Sequence, residues 1–156
     1  MKHLVSEIMD TLVYTCQDDQ TLKEAVAILA EKEVGGLTIV DKDNHVMGFI
    51  SDGDIMKAVA KQKTRSLYGG SYATMVLYDN ESFDEKIEEL KKRNVMELAT
   101  RKVFCISPEQ PIDEVARILS KEKIKKVPVV NNDGVLIGVV RRSSIMRYIF
   151  GKLFNE

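Results

Sequence analysis

One feature constrains this chain more than any other: it contains the same pattern twice. Sliding the sequence against itself by 90 positions lays residues 5–56 on residues 95–146 without a gap. The identical pairs are Val5/Val95, Glu7/Glu97, Val13/Val103, Gln20/Gln110, Glu24/Glu114, Ile28/Ile118, Leu29/Leu119, Val40/Val130, Asp43/Asp133, Gly48/Gly138, Ile55/Ile145 and Met56/Met146. Chance would supply about three such pairs over that window, so the repeat is real. Apolar pairs such as Leu22/Ile112, Leu37/Val127, Ile39/Val129, Phe49/Val139 and Ile50/Val140 fill the positions between. A chain of half this length buries too little of its surface to be comfortably stable alone. The two copies are therefore expected to pack as one unit.

Each copy reads the same way along the chain. A short apolar segment comes first, at 13–16 and at 103–106. A helix follows, because Leu22, Ala25, Val26 and Leu29 recur at helical spacing, as do Ile112, Val115, Ala116 and Leu119. Pro111 suits the first helical position, where its missing N–H is not needed. Two strands come next, at 37–40 and 46–50, then again at 127–130 and 135–140. Asp43-Asn44 and Asp133-Gly134 join them, and these residues tolerate the positive φ of tight hairpins. A last helix begins near Ser51 and near Arg141. Between the copies, residues 61–72 are polar and hold Gly69-Gly70, which predicts a loop. Ser82 and Glu85 have capping-box spacing before a helix carrying Phe83, Ile87 and Leu90 and ending near Arg93. That helix reads as a connector packed on one repeat. The sharper alternative is a dimer or partner contact, aided by Tyr68, Tyr72 and Tyr78.

The order β-α-β-β-α, given twice, carries two pairs of signatures. The first copy has Val-Gly-Gly-Leu-Thr-Ile-Val-Asp at 34–41 and Gly-Phe-Ile-Ser-Asp-Gly-Asp-Ile at 48–55. The second has Ile-Lys-Lys-Val-Pro-Val-Val at 124–130 and Gly-Val-Val-Arg-Arg-Ser-Ser-Ile at 138–145. With these residues the chain resembles the CBS domain family, as a tandem pair (a Bateman module) of the stand-alone bacterial or archaeal type. The resemblance implies an α/β (α+β) fold of two CBS domains related by pseudo-two-fold symmetry. Residues 1–60 would form the first repeat, 61–94 a connecting loop and helix, and 95–156 the second repeat. One departure is Thr38, where the family usually has the proline seen at Pro128.

The same resemblance implies a ligand site. Taken alone, Ser51 with Asp54 three residues on is an ordinary helix cap. In this family a Ser or Thr, two residues and Asp after a Gly-containing strand is the ribose-binding signature. The chemistry suits it, since one carboxylate can accept hydrogen bonds from both hydroxyls of a ribose, and free N–H groups at a helix start can receive phosphate. The adenine slot would be built from Val13, Tyr14, Val34, Gly35, Gly36 and Leu37; the plainer reading of the two glycines is a turn. Lys125, Lys126, Arg141 and Arg142 are candidate phosphate ligands, the ordinary alternative for the lysines being a solvated helix end. In the second copy Arg141 aligns with Ser51 and Ser144 with Asp54. No carboxylate remains there for a diol, so one nucleoside site per chain is expected.

Other function classes find little support. A net charge of −1 argues against nucleic acid as a partner. No stretch approaches a membrane span, and residues 1–7 have no signal-type apolar region, so a cytoplasmic protein is expected. Cys16 and Cys105 form no Cys-x-x-Cys and read as buried strand thiols. His3 and His45 lack metal-ligand spacing. No nucleophile elbow, Walker loop or HExxH occurs, so no enzyme and no metal are expected. The expectation is a regulatory module that requires no cofactor, reversibly binds AMP, ADP, ATP or a related adenosyl ligand, and passes a conformational change to a separate, unidentified effector. The alternative is a ligand-free dimerisation or interaction module. A homodimer is expected through the repeats' last helices, with Ile55, Met56, Val59, Ile145, Met146 and Ile149 facing the partner and Tyr148, Phe150 and Phe154 extending that face.

Overall fold

A computed structural model describes residues 3–60, 64–69, 73–78, 82–121 and 124–155. The first repeat comprises β1 (Thr15–Gln17), α1 (Leu22–Lys32), β2 (Gly36–Val40), β3 (Val46–Ser51) and α2 (Asp52–Ala60). After β4 (Thr64–Gly69), β5 (Ala73–Tyr78) and α3 (Phe83–Leu90) comes the second repeat: α4 (Ile112–Lys121), β6 (Lys126–Val130), β7 (Leu136–Arg141) and α5 (Arg142–Phe154). β1 runs parallel to β2, and β2 runs antiparallel to β3. In the second repeat β6 and β7 pair as β2 and β3 do, but the first strand shrinks to a single parallel bridge of Ile106 with Val129.

Local chemistry sets the element ends. Thr21 caps α1 by accepting from the Glu24 N–H at 3.3 Å, and Glu33 closes that helix in the left-handed region at φ 53°. Pro111 immediately precedes α4. The hairpins turn at Asn44 (φ 65°) and Gly134 (φ 78°), which are among the residues that accept positive φ. In each hairpin one side chain ties the turn. Asp41 accepts from the N–H groups of Asp43 and His45, and Asn131 accepts from those of Asp133 and Val135.

Two expectations for the middle of the chain change. Part of the predicted loop is a strand: β4 pairs antiparallel with β5, from Thr64 with Tyr78 to Gly69 with Ala73. Thr64, Leu67, Tyr68, Thr74, Val76 and Tyr78 are suited to strands, and the pairing satisfies backbone groups that a loop would leave to water. Gly69 therefore ends a strand rather than marking a loop. Tyr72 lies outside the described residues. The connector helix α3 is capped as its spacing predicted, with Ser82 Oγ accepting from Glu85 N–H at 3.2 Å, but it stops at Leu90 rather than near Arg93. Leu90 is buried in the first repeat's core.

The packed units differ from the sequence repeats. Val5 belongs to the core of the second repeat, with Ile106, Val115, Val127, Val129 and Val140. Its N–H donates to the Gln110 carbonyl, and Asp10 exchanges two backbone hydrogen bonds with Val139. Val95 conversely sits in the core of the first repeat with Leu22, Leu37 and Ile50, and its N–H donates to the Gln20 carbonyl. Thr100 exchanges two backbone hydrogen bonds with Phe49, at 2.9 Å each. Each copy's opening segment thus completes the other copy.

Other side chains fall as follows. Cys16 is buried and Cys105 half-buried, both as free thiols; burial pushes the Cys16 thiol up to about 11 and raises Cys105 as well. Ile145, expected on a dimer face, is instead a core residue, and Ile55 and Val59 pack partly against the first core. Met56, Met146, Ile149, Phe150, Leu153 and Phe154 are exposed. No helix among the described residues is long and apolar enough to cross a membrane.

Candidate functional site

The crossed opening segments create two clefts at the junction between repeats. The first, about 510 Å³, is lined by Gly35, Gly36, Phe49, Ser51, Asp52 and Asp54 from the first repeat. Its other wall is Thr100, Lys102, Val103, Phe104, Ile124, Lys125, Lys126 and Pro128. The second, about 210 Å³, is lined by Asp10, Leu12, Val13, Tyr14, Val34, Gly36, Thr38, Phe49, Lys126, Val139 and Arg141. The repeat's 90-residue shift turns one set into the other: Thr100 becomes Asp10, Lys102 becomes Leu12, Phe104 becomes Tyr14, and Ser51 becomes Arg141. Gly36, Phe49 and Lys126 line both clefts and form their common wall.

At the first cleft, β3 runs directly into α2 and places Ser51 and Asp54 around the helix start. Asp54 Oδ2 accepts from the Ser51 N–H and from Ser51 Oγ, both at 2.9 Å. The Asp54 N–H donates back to Ser51 Oγ at 3.2 Å. This is the reciprocal cap that the spacing alone predicts. It uses one carboxylate oxygen, and Oδ1 accepts from no described residue. Asp52 Oδ1 accepts from the Gly53 N–H at 2.7 Å. The glycines have a structural reason as well. A Cβ at Gly36 would stand 2.5 Å from Phe49 Cζ, so residue 36 lacks a side chain because the aromatic ring lies over it. A Cβ at Gly35 would stand 3.3 Å from Asp52 Oδ2.

At the second cleft, the positions of Thr100 and Ser51 are taken by an ion pair. Arg141 Nη2 and Nε stand 2.9 and 3.0 Å from Asp10 Oδ2. Arg147 adds a longer contact to Asp10 Oδ1 at 3.9 Å. The position of Asp54 is held by Ser144, which is buried and accepts weakly from the Arg141 N–H at 3.4 Å. Burial lowers the Lys126 ammonium from its ordinary value, the nearby Arg141 charge lowers it further, and Asp52 opposes both.

The structure sorts the sequence candidates into three groups. Ser51, Asp54, Gly35, Gly36, Lys125 and Lys126 meet in the first cleft. Val13, Tyr14, Val34 and Arg141 lie in the second, with Gly36 and Lys126 again present. Leu37 is fully buried and Arg142 donates to the carbonyls of Ile124 and Leu119; neither lines a cleft. The apolar surface facing Asp54 is therefore Val103, Phe104, Ile124 and Pro128 from the second repeat, not Val13 and Tyr14. Sequence reasoning missed these and Phe49, Asp52, Thr100 and Lys102. The repeat shift carries Val13, Tyr14 and Val34 onto Val103, Phe104 and Ile124, so residues of the same type share the cleft of Asp54, from the other copy. What the sequence does not display is that the opening segments cross.

Comparison with known proteins follows this geometry. A family model for the CBS domain matches residues 5–61 and 95–151. The uncharacterized protein MJ1426 of Methanocaldococcus jannaschii is 28% identical over 92% of this chain and 89% of its own length. The CBS domain pair of protein MJ0100, solved in complex with 5′-methylthioadenosine and S-adenosyl-L-methionine, superposes with a TM-score of 0.71 at 26% identity, covering 97% of this chain and 99% of that one. CBSX2, a plant protein from Arabidopsis thaliana solved in complex with AMP, superposes at 0.73 with 23% identity, covering 97% of this chain and 98% of its own.

Proposed function

This chain belongs to the CBS domain family, and from that premise we propose that it is a non-catalytic regulatory module whose first cleft reversibly binds an adenine nucleotide or related adenosyl ligand. The observation that carries the reading is the Asp54 carboxylate. It is held rigidly by Ser51 through one oxygen, with the other oxygen unpaired among the described residues, at the rim of a cleft large enough for a nucleoside. A ribose diol donates two hydrogen bonds, and a fixed carboxylate accepts such charge-assisted bonds strongly. Val103, Phe104, Ile124 and Pro128 supply the apolar surface a purine needs. Lys125 and Lys126 supply cations for a 5′-substituent. The relatives solved with AMP and with S-adenosyl-L-methionine support an adenosyl ligand as the class. The cleft lies between repeats, so a ligand that fits one arrangement of them better than another shifts that equilibrium, and a partner can read the change.

A thermal-shift series tests this. At about a hundredfold excess over its dissociation constant, a nucleotide adds about 2.7 kcal/mol, and for a chain of this size the midpoint rises by roughly 5–10 °C. If AMP, ADP, ATP and S-adenosyl-L-methionine all leave the midpoint unmoved at millimolar concentration, the reading fails. A second reading, a ligand-free homodimerisation module, draws on Met146, Phe150, Leu153 and Phe154, which α5 leaves exposed. Sedimentation with and without nucleotide separates the two, because only the ligand-free reading predicts a dimer indifferent to nucleotide.

A further inference from the structure

The two hairpins make the same turn with different side chains, and the first carries groups that the turn does not use. In the first, Asp41 Oδ1 accepts from the N–H groups of Asp43 and His45, at 2.9 Å each. In the second, Asn131 Oδ1 accepts from those of Asp133 and Val135, at 2.9 and 3.0 Å. A neutral amide and a valine therefore suffice for this geometry. The charge of Asp41 and the imidazole of His45 are surplus to it. Asp43 is exposed, and its carboxylate accepts from no described residue.

His45 is also where the tips of the two hairpins meet. It forms a bridge with Val135; beside it the Leu136 N–H donates to the Asn44 carbonyl and Asn44 Nδ2 donates to the Leu136 carbonyl, both at 2.9 Å. His45 Nε2 stands 3.1 Å from the Asp133 carbonyl oxygen, and Nδ1 stands 3.4 Å from Asp41 Oδ2. Both ring nitrogens thus face acceptors, and a neutral imidazole has only one N–H. Whichever nitrogen carries it, the other sets a lone pair against an oxygen. A cation between Nδ1 and Asp41 resolves the conflict and leaves the N–H to the Asp133 carbonyl.

The spacing suits a metal. Donors bound at about 2.0–2.2 Å to a tetrahedral ion stand about 3.4 Å apart, which is the separation of His45 Nδ1 from Asp41 Oδ2. The ligand atoms of Asp41, Asp43 and His45 all lie within 4.8 Å of one another. A ligating histidine ordinarily donates its second N–H to a carbonyl or carboxylate, and the Asp133 carbonyl holds that place. We propose that Asp41, Asp43 and His45 form a site for a divalent transition metal of the zinc type, and that the ion, by fixing the His45 ring on the Asp133 carbonyl, ties the tip of the first hairpin to that of the second. An imidazole nitrogen among the ligands selects such an ion over magnesium or calcium, which take oxygen. The spacing of the two histidines predicts no metal; this set has one histidine and two acids, which that test does not see. None of the three residues lines either cleft, so the site is separate from the one proposed for the adenosyl ligand.

Zn²⁺ alone, added to the full chain, tests the proposal. Calorimetry should give one Zn²⁺ per chain. Saturating Zn²⁺ should raise the melting midpoint and slow exchange of the Leu136 amide by at least about threefold. The Asp41→Asn/His45→Val double exchange gives the first hairpin the side chains with which the second makes the same turn, so the fold is kept. It should weaken Zn²⁺ binding by at least about tenfold and abolish both responses. Asp43→Asn should weaken binding in the same direction. His3→Gln, which removes the other histidine, should leave binding within about twofold. If Zn²⁺ leaves the midpoint unmoved, a proton rather than a metal meets the need of His45, and the site falls. Binding that survives the double exchange, or is lost with His3, means an adventitious ion only and overturns the assignment. Binding with unchanged exchange at Leu136 overturns the tie between the hairpins.

Discussion

The two clefts descend from one pattern and end in opposite states. They share Gly36, Phe49 and Lys126 as a common wall, and Ser51, Thr100, Lys102, Val103, Phe104 and Ile124 of the first exchange under the 90-residue shift with Arg141, Asp10, Leu12, Val13, Tyr14 and Val34 of the second. At the first, Ser51 and Thr100 are small, uncharged groups, and Asp54 keeps an oxygen free of described partners. At the second, Arg141 and Asp10 occupy the same places and satisfy each other at 2.9 Å. The first remains open at about 510 Å³ and the second at about 210 Å³. A fold that repeats its backbone does not have to repeat its chemistry. At the two positions that hold Ser51 and Thr100 in the first cleft, the second carries an ion pair that fills the space with its own charges.

The sharpest way to break this comparison is to remove the carboxylate proposed to hold the ribose. Asp54→Ala should weaken nucleotide binding by about 2 kcal/mol, roughly thirtyfold, because a charge-assisted acceptor is lost from a partly buried site. Ser144→Ala, the corresponding change in the second cleft, should leave nucleotide affinity within about twofold, since no ligand carboxylate stands there. Calorimetry should also give one nucleotide per chain. Full affinity in the Asp54→Ala protein, or two equivalent sites, would place the ligand elsewhere.

A second experiment acts on the shared wall. Gly36→Ala puts a methyl group 2.5 Å from Phe49 Cζ, and the ring must move. Overpacking of this kind typically destabilises by about 1–3 kcal/mol, and the melting midpoint should fall by about 3–8 °C. Lys126→Ala, at the matching position in the second repeat, where Val139 takes the place of Phe49 in the sequence, should lower the midpoint far less. Equal losses would show that the ring does not determine the glycine.

These two positions also mark how far the sequence could be read. The repeat was legible because two ungapped copies can be laid on each other directly, and both hairpins with their positive-φ residues and the Ser51–Asp54 cap because each rests on residues close together in the chain. The role of Gly36 was half legible: a glycine before a strand signals close approach, but only the register that pairs Gly36 with Ser51 brings Phe49 over it. Which copy's apolar segment shares the cleft of Asp54 was not legible, for a related reason. Val13-Tyr14 and Val103-Phe104 are equally suited to line a purine site, and what assigns them is the crossing of residues 3–10 and 93–100 between the packed units. Nothing local in the sequence encodes that crossing. Residues 64–69 were misread because a Gly-Gly pair and polar composition outweighed their β-branched and aromatic content.

A smaller effect tests the ion pair of the second cleft. Asp10→Ala removes the partner of Arg141, but both side chains are well exposed, at 30% and 44%. Solvent and salt screen such a pair, so the loss should be only about 0.5 kcal/mol in urea unfolding, and less at high ionic strength. A loss several times larger would mean that the pair closes the second cleft more firmly than its exposure allows.

The smallest expected effect is a pH dependence that separates Lys126, on the shared wall, from Arg141 in the second cleft. Lys126 has its ammonium lowered chiefly by burial, then by Arg141, with Asp52 opposing. Its folded-state value therefore lies below the unfolded one, and the unfolded chain holds its proton to higher pH. Stability contributed by this group rises with pH between the lowered folded value and the ordinary lysine value, because the cost of keeping a desolvated ammonium disappears as it deprotonates. Binding of a phosphorylated ligand has the opposite sign. The phosphate is fully ionised above neutral pH and needs the ammonium, so AMP affinity should fall modestly as pH rises from neutral toward the ordinary lysine value. Adenosine affinity should stay flat over the same range, because Lys126 has no charge to meet. Arg141 does not titrate there, so a Lys126→Gln protein should lose the dependence although Arg141 is retained. Calorimetry of AMP and adenosine across that range separates the outcomes. A pH dependence that persists in the Lys126→Gln protein, or one shared by adenosine, would assign the phosphate contact to a group other than Lys126.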